Sequence, residues 1–437
     1  MLLIYLPHLT ERSTFIFRQI FEFQLGIPYS ISCNKEEFLS YKNEKICYDN
    51  ERFSDDFFIN ANGILSDHSL KGWEILIDEI NGRKVLFPNK NDDLGFDIFS
   101  ASFYLLSRYE EYLPFNEDAF GRFPAVESLA FKNEFLNIPI VDLWIQDFEK
   151  ILTKRFPKIP IKKISFQAIL TYDIDVAFKY KGRSFWRNTG ATSKDIFKFS
   201  FLNIKKRWQV NVQKADDPWD VYDYLLTTTQ TLGLHSIFFF LLGNKGVHDR
   251  NLDFKNKAMK TLILKIKQQT QIGIHPSLMS NKEISLLNLE KERLELITSE
   301  KVTKSRQHYL KIKFPETYQN LLSAGIKEDY SLGYSEMPGF KAGTSFPFFF
   351  YDLKKEEITE LKIFPVCVME ASFKYYLGLK PGEALKEIIK LIDEVKKVGG
   401  TFISIWHNDN LAESINGNSW RDCHNNMIQY LKTQTQN

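Results

Sequence analysis

Beyond about residue 165 the chain alternates between short apolar runs and longer stretches in which apolar residues recur at helical spacing. The short runs at 165–173, 235–242, 271–275, 304–310, 363–370 and 401–407 predict strands, with one more around 329–334. Helices are predicted between them over 218–232, 253–270, 281–298, 315–324 and 381–398, the last stopping at Gly399-Gly400. Strands alternating with helices of that length argue for a parallel sheet of βαβ units, either a barrel or a doubly wound sheet. Upstream the rhythm is mixed. Apolar residues repeat at helical spacing over 98–112 and 141–152, and short alternating runs near 1–6 and 74–87 read as strands. Pro157 and Pro160, set among Arg155, Lys158, Lys162 and Lys163, interrupt any helical period between the two regions. The expected organisation is a smaller α/β N-terminal domain over 1–160 and a larger α/β domain over 161–437.

Composition narrows the class. The 437 residues are 43% hydrophobic, enough for a sizeable core, and 57 basic against 55 acidic residues leave a formal charge of +2. That balance gives no reason to expect a nucleic-acid partner. The longest apolar stretch, 237–242, is far short of the ~20 residues that span a bilayer. Residues 1–7 lack a basic lead and an apolar region of proper length, so they read as an opening strand and not a signal peptide. Cys33, Cys47, Cys367 and Cys423 form no CxxC pair, which suits a reducing compartment. Together these features predict a cytoplasmic protein and exclude collagen-like, disordered and disulfide-scaffold classes. Only eight histidines are present, so each can be weighed.

In folds of this kind the chemistry sits where strands end, because the βα loops converge there. The first downstream strand ends in Thr171-Tyr172-Asp173-Ile174-Asp175, placing two carboxylates two residues apart. The third ends at His275, the fourth carries Arg306 and His308, and the last ends at His407. Each has a plain alternative: the aspartates can cap a helix, a lone histidine can be structural, and Arg306 can be a surface charge. Their recurrence at successive strand ends points to metal binding and proton transfer. His8 and His68 lie upstream, His248 falls in a polar loop, His235 begins its strand and His424 lies in a polar C-terminal stretch. These five are read as background.

The arrangement resembles the polysaccharide deacetylase family, whose catalytic unit is the NodB homology domain, a distorted (β/α) barrel. The resemblance covers about 165–410. Thr171-Tyr172-Asp173-Ile174-Asp175 is similar to the family's T-F-D-x-D motif, which implies general base for Asp173 and metal ligand for Asp175. Gly273-Ile274-His275-Pro276-Ser277-Leu278-Met279 aligns with H-S/T-x-x-H, making His275 a ligand but placing Met279 where the second histidine belongs. A thioether is a poor ligand for a hard or borderline cation. His308 is the candidate replacement, with Ser280 or Asn281 as alternatives. Arg306 looks like the family's base-orienting arginine, and 402–407, ending in His407, like its general-acid motif. Asp329-Tyr330 and Gly339-Phe340-Lys341-Ala342-Gly343-Thr344 resemble substrate-loop motifs, with Lys341 where arginine is usual. Asp329, Tyr330, Phe340, Lys341 and Trp406 are accordingly expected to bind substrate.

The resemblance implies a hydrolase with a divalent metal, Zn²⁺ by the ligand types, that removes N-acetyl groups from an amino-sugar polysaccharide or its precursor. Two alternatives stand beside it: a non-catalytic carbohydrate-binding or scaffold protein of the same fold, and an amidase acting on a small non-sugar C–N bond. Upstream, 103–112 followed by Gly121-Arg122-Phe123-Pro124 resembles an N-terminal domain that accompanies such units in some bacterial proteins. No activity is implied for it, and an amphipathic helix with a solvated Arg/Glu edge explains 103–112 equally.

Overall fold

The structure, a computed structural model, describes residues 1–182, 201–212, 214–412 and 419–435. Near the N-terminus β1 (Leu2–Tyr5), β2 (Tyr29–Ser32), β3 (Lys45–Asp49) and β4 (Phe57–Asn60) form a parallel sheet in the order β2-β1-β3-β4. Of these strands only the first was expected. The alternation near 74–87 is an antiparallel hairpin of β5 (Ile77–Ile80) and β6 (Arg83–Leu86). A helix over Ile98–Leu106 is buried on every side, its first turn held by the Asp97 carboxylate, which accepts from Phe99 N and Ser100 N. It does not run on to 112 as its spacing predicted. Arg108 takes a left-handed conformation (φ 55°), and a short 3-10 turn follows over Tyr109–Tyr112. The Arg108 guanidinium is buried there, held by Glu110, Glu111 and the Lys341 carbonyl, and those bonds replace the ones a continuing helix would make.

The larger sheet has nine strands in the order β12-β13-β11-β10-β9-β8-β7-β15-β14. These are β7 (Gln167–Ile174), β8 (His235–Phe240), β9 (Gln271–Ile274), β10 (Lys304–Ser305), β11 (Glu328–Asp329), β12 (Phe348–Asp352), β13 (Glu357–Ile363), β14 (Val368–Met369) and β15 (Thr401–His407). All neighbours are parallel except β12 on β13. Among the described residues no pairing joins β12 to β14, so the sheet is not closed. The strand expected at 304–310 shrinks to two residues because Tyr309 and Leu310 turn left-handed, at φ 60° and 52°. The run expected at 363–370 divides at Pro365, its ends belonging to β13 and β14. The helix predicted over 381–398 spans Pro381–Val398, with Gly399 at φ 69° closing it as the spacing required.

Close packing fixes where the central strands lie. A Cβ on Gly273 would come 2.5 Å from the Phe239 ring and 2.8 Å from the Lys304 carbonyl, so β9 can sit between its neighbours only with glycine there. One buried apolar cluster runs through both sheets. Phe15 and Phe103 both pack on Tyr351 of β12, with centroids 5.3 Å away in each case. Buried polar groups reinforce the join. Arg12 pairs with Glu356, and the Asp142 carboxylate accepts from Thr344 Oγ1, Ser345 N and Ser345 Oγ. Burial outweighs those hydrogen bonds and pushes the Asp142 carboxyl up to about 6. No described helix is long and apolar enough to cross a membrane. The four cysteines are unpaired, and three are buried.

Candidate active site

The C-terminal ends of β7, β9, β10 and β15 lie on one edge of the sheet, with β8 between β7 and β9, and the polar residues at or just beyond those ends converge. Asp173 lies in register with His407 across the β7–β15 pair. Thr171, two residues before Asp173, donates to the Ser404 carbonyl (2.7 Å) and accepts from Arg306 Nη2 (2.8 Å). Arg306 is fully buried above the Phe239 ring, and its Nη1 lies 3.4 Å from both Asp173 oxygens. Burial lowers the Arg306 pKa, and Asp173 and Asp329 oppose that loss.

Beside this pair stand Asp175, His275 and His308, with one potential ligand atom from each lying within 4.8 Å of the others. The two rings are anchored from behind. His275 Nδ1 donates to the Arg306 carbonyl (2.5 Å) and His308 Nδ1 to Asp249 Oδ1 (2.8 Å). Each anchor leaves Nε2 to face Asp175, at 3.2 Å for His275 and 3.4 Å for His308. The two contacts run to different oxygens of the Asp175 carboxylate, so both imidazoles face one carboxylate group. His275 Nε2 and Asp175 Oδ1 are both buried and neither has a geometrically formed hydrogen bond. Two imidazoles oriented by hydrogen bonds and one carboxylate suit a borderline divalent cation. The charges agree. Burial alone would lower the His308 pKa, but Asp175 and Asp249 bring it up to about 9. Burial likewise opposes ionisation of Asp175, and His308, His275 and His407 hold it well below the usual carboxylate range. A cation held here would displace the proton from His308, because imidazole binds a metal in its neutral form.

The question raised by Met279 has a geometric answer. Met279 is 58% exposed and takes no part in the cluster. Ser280 is buried and donates to the Ser277 carbonyl, while Asn281 is engaged by the Lys311 carbonyl and Thr317. Of the three replacements considered, His308 is the one brought to Asp175 and His275.

On the other side of Asp175 lies His407, its Nε2 4.0 Å from Asp175 Oδ2. The fully buried Glu370 accepts from His407 Nδ1 (2.7 Å), His407 N (2.9 Å) and Asn410 Nδ2 (2.8 Å). Burial lowers the His407 pKa, but Glu370 outweighs it, with Asp175 and Asp173 adding, and the imidazole is held protonated well above its ordinary range. These groups open into a cleft of about 300 Å³, whose mouth includes Tyr309, Arg122 and the exposed Tyr375 and Tyr376.

The five residues expected to bind substrate are not in this cleft. Trp406 is fully buried against His424, because successive strand residues face opposite sides of the sheet and His407 takes the cleft side. Asp329 is buried and accepts from Ser305 and Ser331. Tyr330 stacks on Phe364, Phe340 is 2% exposed, and the Lys341 ammonium is buried on Glu111. His424, read as background, is buried too. It bridges the hydroxyls of Tyr172 and Tyr224, and burial pushes its pKa down to about 3. Sequence reasoning missed Asp249 and Glu370. Glu370 ends the predicted 363–370 run, so the strand-end rule already contained its signal. Asp249 is one acidic residue in a polar loop and carries none.

Residues 2–157 match the model of a family of unknown function, DUF7033. No curated protein matches the chain. Among solved structures it is similar to a protein from Mycobacterium smegmatis described as a polysaccharide deacetylase, at 14% identity and a TM-score of 0.41, over 62% of this chain and 85% of that one. Similarity to Puue allantoinase is 11% with a TM-score of 0.38 over the same shares, 62% and 85%. A CE4 family pseudoenzyme from Bacillus anthracis gives 12% and 0.29, with 62% of each chain covered. Likeness of this degree leaves the chemistry to be argued from the residues of this chain.

Proposed function

We propose that the protein is a metal-dependent hydrolase that removes the acetyl group from the nitrogen of an amino sugar. In this reading residues 161–437 form a distorted (β/α) barrel and residues 1–160 an accessory domain. The observation that carries it is the convergence of Asp175, His275 and His308 beside two proton-handling pairs, Asp173–Arg306 and His407–Glu370.

Asp175, His275 and His308 would hold the cation, with Zn²⁺ the best match to two nitrogens and one carboxylate. When bound, it supplies a Lewis acid for the amide carbonyl and lowers the pKa of a coordinated water. Asp173 removes the proton from the attacking water, and Arg306 fixes its carboxylate for that transfer. Water adds to the carbonyl carbon, forming the C–O bond, and the C–N bond then breaks as the carbonyl re-forms and His407 Nε2 delivers a proton to the departing nitrogen while Glu370 holds Nδ1. Without that proton the leaving group would be an amine anion. Tyr375 and Tyr376 present the exposed aromatic faces on which a sugar ring can stack.

The volume of the cleft supports a second reading. About 300 Å³ lies at the small end of ligand sites and suits one sugar unit or a small amide better than the middle of a polymer. Equilibrium dialysis against Zn²⁺ and assays of acetate release from N-acetylated oligosaccharides test both. The expected result is one ion per chain at micromolar concentration, with hydrolysis abolished by a chelator and restored by the metal. A folded protein that takes up no divalent ion overturns the hydrolase reading. Turnover of small amides with none of glycans selects the amidase.

A further inference from the structure

We infer that the loop at residues 118–122, contributed by the N-terminal segment, is a positioning element for His308. The inference rests on the metal-site reading above and assigns a task to a segment whose sequence implies none.

His308 does not extend a regular strand, as His275 directly after β9 and His407 at the end of β15 do. It leads into two consecutive left-handed residues, Tyr309 (φ 60°) and Leu310 (φ 52°). Non-glycine residues in that region are strained and persist only where surroundings enforce them. The loop supplies that enforcement. Arg122 Nη1 donates to the Tyr309 carbonyl at 2.6 Å. The Phe120 ring stacks on the Tyr309 ring, with centroids 4.7 Å apart and planes 20° from parallel. The same Phe120 ring meets His248 edge-on at 5.7 Å. His248 directly precedes Asp249, the carboxylate that orients His308 through Nδ1. Phe120 therefore packs at once on the residue after the ligand and on the residue before the ligand's hydrogen-bond partner.

The loop is itself well determined. Asp118 Oδ1 accepts from Phe120 N (2.8 Å) and Arg122 N (3.0 Å), and its Oδ2 takes the Arg122 guanidinium at 2.7 Å. Gly121, at φ 72°, makes the turn. Arg122 is 6% exposed and also meets Tyr376 at the cleft mouth. His308 thus comes with a support from outside the turn that bears it.

A loop that merely joined the N-terminal segment to the sheet would affect folding stability and leave the metal's surroundings alone. The test uses the full chain with Arg122→Met, Arg122→Lys and Phe120→Leu. It reads Zn²⁺ affinity by competition with a chromophoric chelator, the visible absorption of bound Co²⁺, and the melting temperature without metal. Loss of support around a ligand weakens metal binding about 10–100-fold. Arg122→Met is expected to do so and to change the Co²⁺ spectrum. Phe120→Leu should give a smaller loss, and Arg122→Lys, which retains a cationic donor, should recover most of the affinity. Unchanged affinity and spectrum in both Arg122→Met and Phe120→Leu, with only the melting temperature lowered, would overturn the inference. Failure of the unaltered chain to bind any metal overturns the metal-site reading instead, so the two failures are told apart.

Discussion

Asp173→Asn is expected to lower kcat about 10²–10⁴-fold, the usual worth of a positioned general base, and to destabilise the fold as well. The stability effect follows from Arg306, which is fully buried with Asp173 as its nearest carboxylate. Asparagine preserves the shape but removes the charge, leaving a cation without its counter-ion. Removing one partner of a buried pair costs about 3–5 kcal/mol. Arg306→Met should cost a similar amount, because it strands the carboxylate instead. The double variant separates the two roles. With neither charge present, denaturant unfolding should show much of the lost stability restored, while hydrolysis stays at the level of Asp173→Asn. Recovery of activity in the double variant would show that Asp173 is not the base. Strictly additive stability losses would show that the two side chains act independently.

The second large effect is expected at Glu370, which reaches the substrate only through His407. Glu370→Gln retains an oxygen that can accept from His407 Nδ1, so the ring keeps its orientation while the negative charge is lost. With His407 as the proposed acid, activity is held below its pKa and falls as pH rises through it. Glu370 raises that pKa well above the ordinary value of about 6.5, which puts the alkaline limb of the native rate profile at high pH. Removing the charge lowers the pKa, and the alkaline limb of kcat against pH should move towards acid. The variant is expected to lose most of its activity above neutrality and to regain part of it as the medium is acidified. His407→Ala should lose about 10²–10⁴-fold at every pH. An alkaline limb that does not move in Glu370→Gln would assign it to another group.

What the sequence revealed of this site follows from how regular strands behave. Asp173 is the next-to-last residue of β7, His275 directly follows β9 and His407 ends β15, and an apolar run places a side chain at its end without help from distant parts of the chain. Asp173, His275 and His407 were legible for that reason. His308 was legible only as a candidate, because the turn that aims it depends on two left-handed residues and on Phe120, almost two hundred positions earlier. The substrate residues failed for a related cause. Motif likeness places a residue along the chain but does not say which side of a strand it takes, and Trp406 and His407 differ in that alone. Tyr375 and Tyr376, exposed in a short π-helical turn over Ser372–Tyr376, have no periodic pattern to announce them. The antiparallel β12–β13 pair was missed as well, although Ile358, Leu361 and Ile363 punctuate its second strand.

The apolar cluster that runs through both sheets also has a bearing on the order in which the chain can complete itself during synthesis. Arg12 is among the first residues made, and its partner Glu356 follows 344 positions later. At roughly 5–20 residues per second, that interval is roughly 17–70 s. Until residue 351 is made Phe15 and Phe103 lack the Tyr351 ring that covers them, and until residue 309 is made Arg122 lacks the Tyr309 carbonyl. Contacts of such separation slow folding and leave apolar surface open to other chains. The candidate cleft draws on residues from 122 to 410 and is therefore among the last parts of the molecule to take shape.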